Sequence, residues 1–324
     1  MNQSASEFVP VSRWHPESPA FWASRPRRAF RALSHGSVGI RFAEQPGPAV
    51  TTWTFDRRRH GDRVNIAFAS PGQAKQFMIR WRILADAIHA IGREDPTFCC
   101  HDVRIDLGDS IAPDAPADVL AFARLPGSRA RLIPNPYLLR PRPWLPPARA
   151  WERKSDTLYF RGSSTGSADY DANARVALCR VAQTIPRADC RLSRLKQVDP
   201  SFTRRLKADG LNGRRHLPAC LNRHRLLVEV DGNASSWDRY MLIGTLGGVP
   251  IRFETVWQEC WHDLLEDGVN CVVADRRTLP GIVERLRASP DEARRIAVAA
   301  SHTVAHELSL EALHRRLAAT LATI

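Results

Sequence analysis

The sequence predicts an α/β protein whose second half holds a parallel sheet with helices on both faces. Three observations carry this expectation. From residue 157 onward, short apolar runs alternate with stretches of helical period, the pattern of strands joined by crossover helices. Pro134, Pro136, Pro141, Pro143, Pro146 and Pro147 crowd one segment, which excludes a helix or central strand there and favours an extended linker. Glycine and hydroxyl residues cluster directly after two of the expected strands.

The 324 residues suffice for two core-forming domains, with a boundary expected near residue 150: residues 1–150, then 151–324. A content of 44 % hydrophobic and 25 % charged residues excludes a disordered or fibrous chain. No run approaches the roughly 20 apolar residues of a membrane span. Residues 1–19 are polar, without the apolar core of a secretory signal, so the expected location is cytoplasmic. The net charge of +13, almost all of it from arginine, suggests an anionic partner or a merely basic surface.

The elements follow in order. Residues 1–30 are rich in Ser, Pro and Arg and read as irregular. Phe77, Trp81, Leu84, Ile88 and Ile91 recur at helical spacing, so 74–92 is an amphipathic helix. Val103, Ile105 and Leu107 alternate with polar residues in a strand that runs out at Gly108 and Asp109. Residues 119–124 form a second short strand. In the second half, strands are expected at 157–160, 225–230, 249–253 and 270–274. Helices are expected at 172–184, 237–246, 255–266 and 278–288. Gly247 and Gly248 stop the second of these. Trp257 and Trp261, four apart, read as the buried face of the third. Ser289, Pro290 and Glu292 form a capping box for another helix, and Ser309 opens the last.

Seven cysteines at 99, 100, 179, 190, 220, 260 and 271 include no C-x-x-C pair and lie mostly in apolar runs, as reduced thiols do. His302 and His306 are four apart but lack a third ligand, so no metal site is expected.

Two turns could carry chemistry. Arg161, Gly162, Ser163, Ser164, Thr165 and Gly166 leave the strand at 157–160. Glycine lets a ligand approach the backbone, Ser and Thr supply hydroxyl donors, and Arg161 supplies a cationic fork. Asp231, Gly232, Asn233, Ala234, Ser235, Ser236 and Trp237 leave the strand at 225–230 and open a helix, where unpaired N–H groups favour a phosphate. Ligands of open α/β sheets bind outside the carboxyl ends of strands. Each turn, taken alone, is equally readable as a tight turn. Asp109 ends its strand and is a possible general base or a turn residue; Asp106 points to the other face and is the weaker choice.

Trp151 through Gly166 resembles the signature of glycosyltransferase family 90: a tryptophan, basic residues, then phenylalanine, arginine, glycine and serine at Phe160, Arg161, Gly162 and Ser163. Val230, Asp231, Gly232, Asn233, Ala234, Ser235, Ser236 and Trp237 resemble its aspartate-glycine-asparagine motif, which ends in serine-tryptophan. Trp261, His262, Asp263 and Leu264 resemble a third motif, and 103–109 resembles the strand that ends in the family's catalytic aspartate. The chain departs from the pattern at Ser110 and Ile111, at 270–273, and at Asp238, where many members have arginine.

The resemblance implies a glycosyltransferase-B fold, two Rossmann-like domains facing across a cleft. It implies an inverting, metal-independent transfer from a UDP-sugar, with glucose or xylose the class of sugar, and no cofactor. The acceptor would be the hydroxyl of a glycan, a lipopolysaccharide or other glycolipid, or a protein. Asp109 would be the base. Arg161, Gly162, Ser163, Thr165, Gly232, Asn233, Ser235, Ser236, Trp237 and Arg239 would hold the donor. The basic surface would serve peripheral contact with an anionic membrane. Two alternatives stand beside this: an arginine-rich nucleic-acid-binding protein, for which no binding module is evident and no nucleic acid is expected, and a nucleotide-binding homologue without activity.

Overall fold

A computed structural model describes residues 9–10, 39–44, 50–55, 63–68, 71–109, 111, 113–214 and 218–323. The irregular segment expected over 1–30 lies outside these, apart from Val9 and Pro10. The chain divides into two compact units, Met1–Arg140 with Leu313–Ile324, and Pro141–Ala312. The division falls ahead of residue 150, inside the proline-dense stretch, and the end of the chain groups with the first unit.

In the first unit the strands are β1 (Val9–Pro10), β2 (Gly39–Glu44), β3 (Val50–Phe55), β4 (Arg63–Phe68), β5 (Cys100–Asp106), β6 (Val119–Ala121) and β7 (Arg131–Leu132). They form one seven-stranded sheet in the order β1-β2-β4-β3-β5-β6-β7. The sheet is mixed: β5, β6 and β7 run parallel, and β3 pairs antiparallel with both β4 and β5. Helix α1 (Pro71–Glu94) buries all five of the apolar residues that define its stripe, Phe77, Trp81, Leu84, Ile88 and Ile91. On β5, Val103 and Ile105 face the core between polar neighbours, the alternation read from the sequence.

The second unit is a five-stranded, wholly parallel sheet of β8 (Ser155–Ser163), β9 (Ala188–Arg194), β10 (His224–Val230), β11 (Val249–Phe253) and β12 (Val272–Ala274). Its order is β12-β11-β10-β8-β9. The chain first steps outward from β8 to β9, then returns past β8 to β10 and winds the other way. Strand order therefore reverses between β8 and β10, and that reversal opens a crevice at their carboxyl ends.

Helices α2 (Ala174–Gln183), α3 (Pro200–Ala208), α4 (Arg239–Thr245), α5 (Leu279–Ala288), α6 (Pro290–His306) and α7 (Leu310–Leu321) complete the chain. Alternating strand residues serve opposite faces. Leu158, Phe160, Val228 and Val230 pack with Val176 and Cys179 of α2 and Val283 of α5. Tyr159 and Leu227 pack with Leu242 and Ile243 of α4. Gly247 ends α4 at φ +63, a left-handed conformation in which a Cβ is costly. At Gly244 an added Cβ would stand 2.6 Å from Val304, so α4 and α6 cross where only glycine fits.

Three expectations need correction. No helix spans 255–266; a short 3₁₀ turn at His262–Leu264 stands within a loop. The Asp231 carboxylate accepts the N–H groups of Val256 (2.7 Å) and Trp257 (3.3 Å), and Glu254 sits at φ +46, so the backbone is drawn out of helical register. Trp261 is buried in that loop, with its ring 5.1 Å from Tyr240, and Trp257 is only partly covered. Ser289 does occupy the N-cap of α6, but its side chain makes no capping bond, and Glu292 lies 3.5 Å from Arg285 instead. Finally, β9 and α3 carry no counterpart in the expected elements.

No helix among the described residues is long and apolar enough to cross a membrane. All seven cysteines are free thiols, and Cys100, Cys179, Cys190 and Cys271 are buried.

Candidate functional site

The reversal of strand order brings the two glycine- and hydroxyl-rich turns side by side. Strand β8 runs further than its apolar core requires and includes Arg161, Gly162 and Ser163. Gly166, at φ +121, turns the chain away and donates its N–H to Asn233 Oδ1 at 3.0 Å. A Cβ on Gly166 would meet the Gly232 carbonyl oxygen at 3.4 Å. The two turns are in van der Waals contact, with glycine on each side.

Arg175, the second residue of α2, ties them together. Its Nη1 donates to the Ser163 carbonyl (3.0 Å), the Ser163 hydroxyl (3.0 Å) and the Thr165 hydroxyl (2.7 Å). Its Nε donates to the Asp231 carbonyl at 2.9 Å. Gly232 has no side chain because a Cβ there would lie 2.6 Å from the Arg175 guanidinium. Asn173 sets the geometry from below. Fully buried, it caps α2 by accepting from the Arg175 and Val176 N–H groups, and it donates to the Ser164 and Ser167 carbonyls.

Arg239 heads α4, a helix of seven residues that begins two positions later than the sequence suggests. Its Nη2 donates to the Arg161 carbonyl at 2.8 Å, and its guanidinium lies 5.5 Å over the Phe160 ring. Burial lowers the pKa of Arg239 and, with the cation of Arg239 nearby, lowers that of Arg175 to about 10. Among the described residues both guanidinium groups bond neutral oxygens and neither has an ion pair. Two cations held this way leave positive charge unbalanced at the crevice.

Other expected donor residues also bond within the framework. Arg161 bends back along the sheet: its two Nη groups donate to the Phe160 carbonyl, the Asp189 carbonyl and Asp189 Oδ2, the last at 2.6 Å. Ser235 is buried and donates to Glu259, whose other oxygen accepts from Trp261 Nε1 at 3.0 Å. Ser236 and Trp237 lead into α4. Trp237 holds φ +62, a conformation that costs a non-glycine residue about 1–3 kcal/mol and is concentrated at binding sites.

Asp231 lies at the carboxyl end of β10. Burial raises its pKa, the Val256 and Trp257 N–H groups oppose the rise, and the outcome is about 6. Behind it, Glu229 pairs with Arg252 at 3.5 Å, and burial lowers the pKa of His262 to about 3.

Asp109 belongs to the first unit. Its Oδ1 accepts from Arg80, a buried cation on α1, and from Gln76 Nε2 at 3.3 Å. Asp106 accepts the Gly108 N–H at 2.7 Å, and burial raises its pKa. Among the described residues no three His, Cys, Asp or Glu side chains converge as a metal site. The His302 and His306 rings lie tilted against each other at 35°, with centroids 4.2 Å apart.

Arg175, Asn173 and Glu259 escaped the sequence reading as site residues, and Asp231 was read only as part of its turn. Asn173 had a signal, an Asn just ahead of a helical stretch. The others acquire their roles only when β10 returns beside β8.

No family model and no curated protein matches the chain. Among solved structures it is similar to HepE of Anabaena in complex with UDP-glucose, at 13 % identity and a TM-score of 0.38, over 52 % of this chain and 49 % of that one. It is also similar to a glycosyltransferase from Rickettsia africae (12 % identity, TM-score 0.42, 63 % and 62 % of the two chains). A third is the C-terminal domain of the group 1 glycosyl transferase LpcC of Francisella tularensis (10 % identity, TM-score 0.33, 49 % and 93 %). The chain spans about half the length of HepE.

Proposed function

We propose that the second unit binds the diphosphate of a UDP-sugar at the β8–β10 crevice, and that the chain is a glycosyltransferase of the glycosyltransferase-B type. One observation carries the binding claim: the half-buried guanidinium groups of Arg175 and Arg239 bond only neutral oxygens beside two glycine-hydroxyl turns. A site of that kind is completed by an anion. The leaving diphosphate of a sugar transfer needs the same neutralisation, supplied here by arginine rather than by a metal ion.

The motif resemblance at 151–166 and 230–237 supports the finer reading: an inverting, metal-independent transfer of glucose or xylose to a glycan, glycolipid or protein hydroxyl, with Asp109 as base. In that reaction the acceptor oxygen attacks the anomeric carbon, its proton passes to the Asp109 carboxylate, and the sugar–phosphate bond breaks to release UDP. A cytoplasmic location, at the face of an anionic membrane, belongs to the same reading.

Calorimetric titration of the chain with UDP, UDP-glucose, UDP-xylose, ATP and NAD tests it, with and without EDTA. UDP compounds are expected to bind, equally well in EDTA. Tight binding of ATP or NAD with none of UDP would overturn the assignment.

A further inference from the structure

Next to the turn that carries Ser163 and Thr165, the carboxyl end of β9 carries exposed cations. Parallel register sets Ser163 opposite Arg194. The Ser164 N–H donates to the Arg194 carbonyl at 2.9 Å, and the Lys196 N–H donates to the Ser164 hydroxyl at 2.7 Å. Residues 194–196 are thus tied by backbone to the turn that carries Ser163 and Thr165. The Gly213 N–H donates to the Leu192 carbonyl at 2.8 Å, and a Cβ at Gly213 would stand 2.8 Å from the Cβ of Arg191, which brings Arg214 to the same strand end. Arg194, Lys196 and Arg214 are all exposed, and among the described residues none forms an ion pair. The nearby carboxylates are engaged: Asp189 pairs with Arg161 (2.6 Å) and Arg191 (3.3 Å), and Asp199 caps α3 through the Phe202 N–H (2.8 Å).

Two simpler roles fail. Cations on an outer strand deter pairing with a second chain. Here the outer edge of β9 is occupied, since Leu192 bridges Asn212 and donates its N–H to the Leu211 carbonyl at 2.9 Å. Single-stranded nucleic acid needs aromatic platforms among the cations. Between 188 and 214 the one aromatic residue is Phe202, and it is buried.

We infer that Arg194, Lys196 and Arg214 form an anion subsite beside the donor turn that takes a phosphate or carboxylate group carried by the sugar acceptor. This rests on the donor reading above. The donor's own diphosphate has Arg175 and Arg239 one strand away, so the rim at β9 is left for an anion on the other substrate.

The test titrates the full chain with tripolyphosphate, with and without saturating UDP. It compares the parent with R194Q/K196Q/R214Q and with R277Q/R294Q/R295Q, which removes the same charge elsewhere. Tripolyphosphate is expected to bind the parent in the presence of UDP, and roughly tenfold or more weakly to the rim variant, the loss of at least one charged contact. UDP affinity of the rim variant and tripolyphosphate affinity of the control should stay near the parent's. Displacement of tripolyphosphate by UDP, or an equal loss in the control, would overturn the inference. So would an unchanged rim variant, or a single-stranded oligonucleotide that binds the rim more tightly than tripolyphosphate. A parent that binds tripolyphosphate but not UDP would sink the donor reading and leave the anion subsite standing.

Discussion

Arg175 donates to the Thr165 hydroxyl at 2.7 Å, so the first turn of α2 is fastened to the loop that leads into it. The same guanidinium reaches the Asp231 carbonyl, and thereby the second turn. A ligand seated in the crevice meets two loops held as one.

Replacing that clamp should therefore cost both stability and affinity. Arg175→Gln is expected to lower unfolding free energy by about 1.5–3 kcal/mol, the range for hydrogen bonds to a charged group, and UDP affinity by roughly 10–100-fold. Arg175→Lys restores the charge without the fork and should recover little of either. Urea denaturation and calorimetry read the two effects. A Gln variant with parent-like UDP affinity would remove Arg175 from the site.

Arg161 is expected to behave differently, because its two Nη groups already bond Asp189 and two carbonyls, although its buried Nε has no hydrogen-bond partner. A double-mutant cycle of Arg161→Gln with Asp189→Asn should show a stabilising coupling of about 1 kcal/mol, modest because Asp189 is partly exposed to water. UDP affinity should change little. A variant with full stability and tenfold weaker UDP binding would restore the direct phosphate contact that the motif alone suggests.

For Asp109 the expected signature is kinetic. Asp109→Asn should lower turnover by about 10²–10⁴-fold and leave UDP affinity nearly unchanged, as for loss of a general base. The Arg80 partnership supplies the contrary outcome: if Asp109 only anchors that buried cation, Asn lowers the melting temperature while turnover per folded molecule holds.

Asp231 gives a pH dependence of defined sign. Its pKa rises from 3.8 unfolded to about 6 folded, so between those values the folded state binds more protons. Stability should fall as pH rises from about 4 to about 6, by on the order of 3 kcal/mol for two units, and then level off. Urea midpoints at several pH values measure it. Asp231→Asn should flatten that segment; a slope that persists would place its origin in another group.

Elements whose apolar residues stand at regular spacing were legible from the sequence. The five-residue stripe of α1 and the alternation of β5 survive intact because local pattern and tertiary burial ask for the same thing. The segment 255–266 has helical spacing too, but a carboxylate distant in sequence takes the N–H groups of Val256 and Trp257. Strand β9 fully buries only Cys190 and Leu192, between polar residues, too brief an alternation to stand out. The two turns were legible as turns, because glycine and serine directly follow a strand, but their contact with each other was not. Arg175 was not, since an arginine in the first turn of a helix ordinarily points to water. For Arg161 the sequence shows a cationic fork but not its partner: only the neighbouring strand reveals Asp189.

The chain passes from one unit to the other after Arg140 and back again within α7, where Leu313–Ile324 rejoin residues 1–140. Arg131 donates to both the carbonyl and the hydroxyl of Thr323, at 2.8 and 2.9 Å. The second unit is therefore one continuous run of chain, whereas the first closes through Arg131 and Thr323, 192 residues apart in sequence. Closing the first unit costs the entropy of that long loop unless the second has already folded within it.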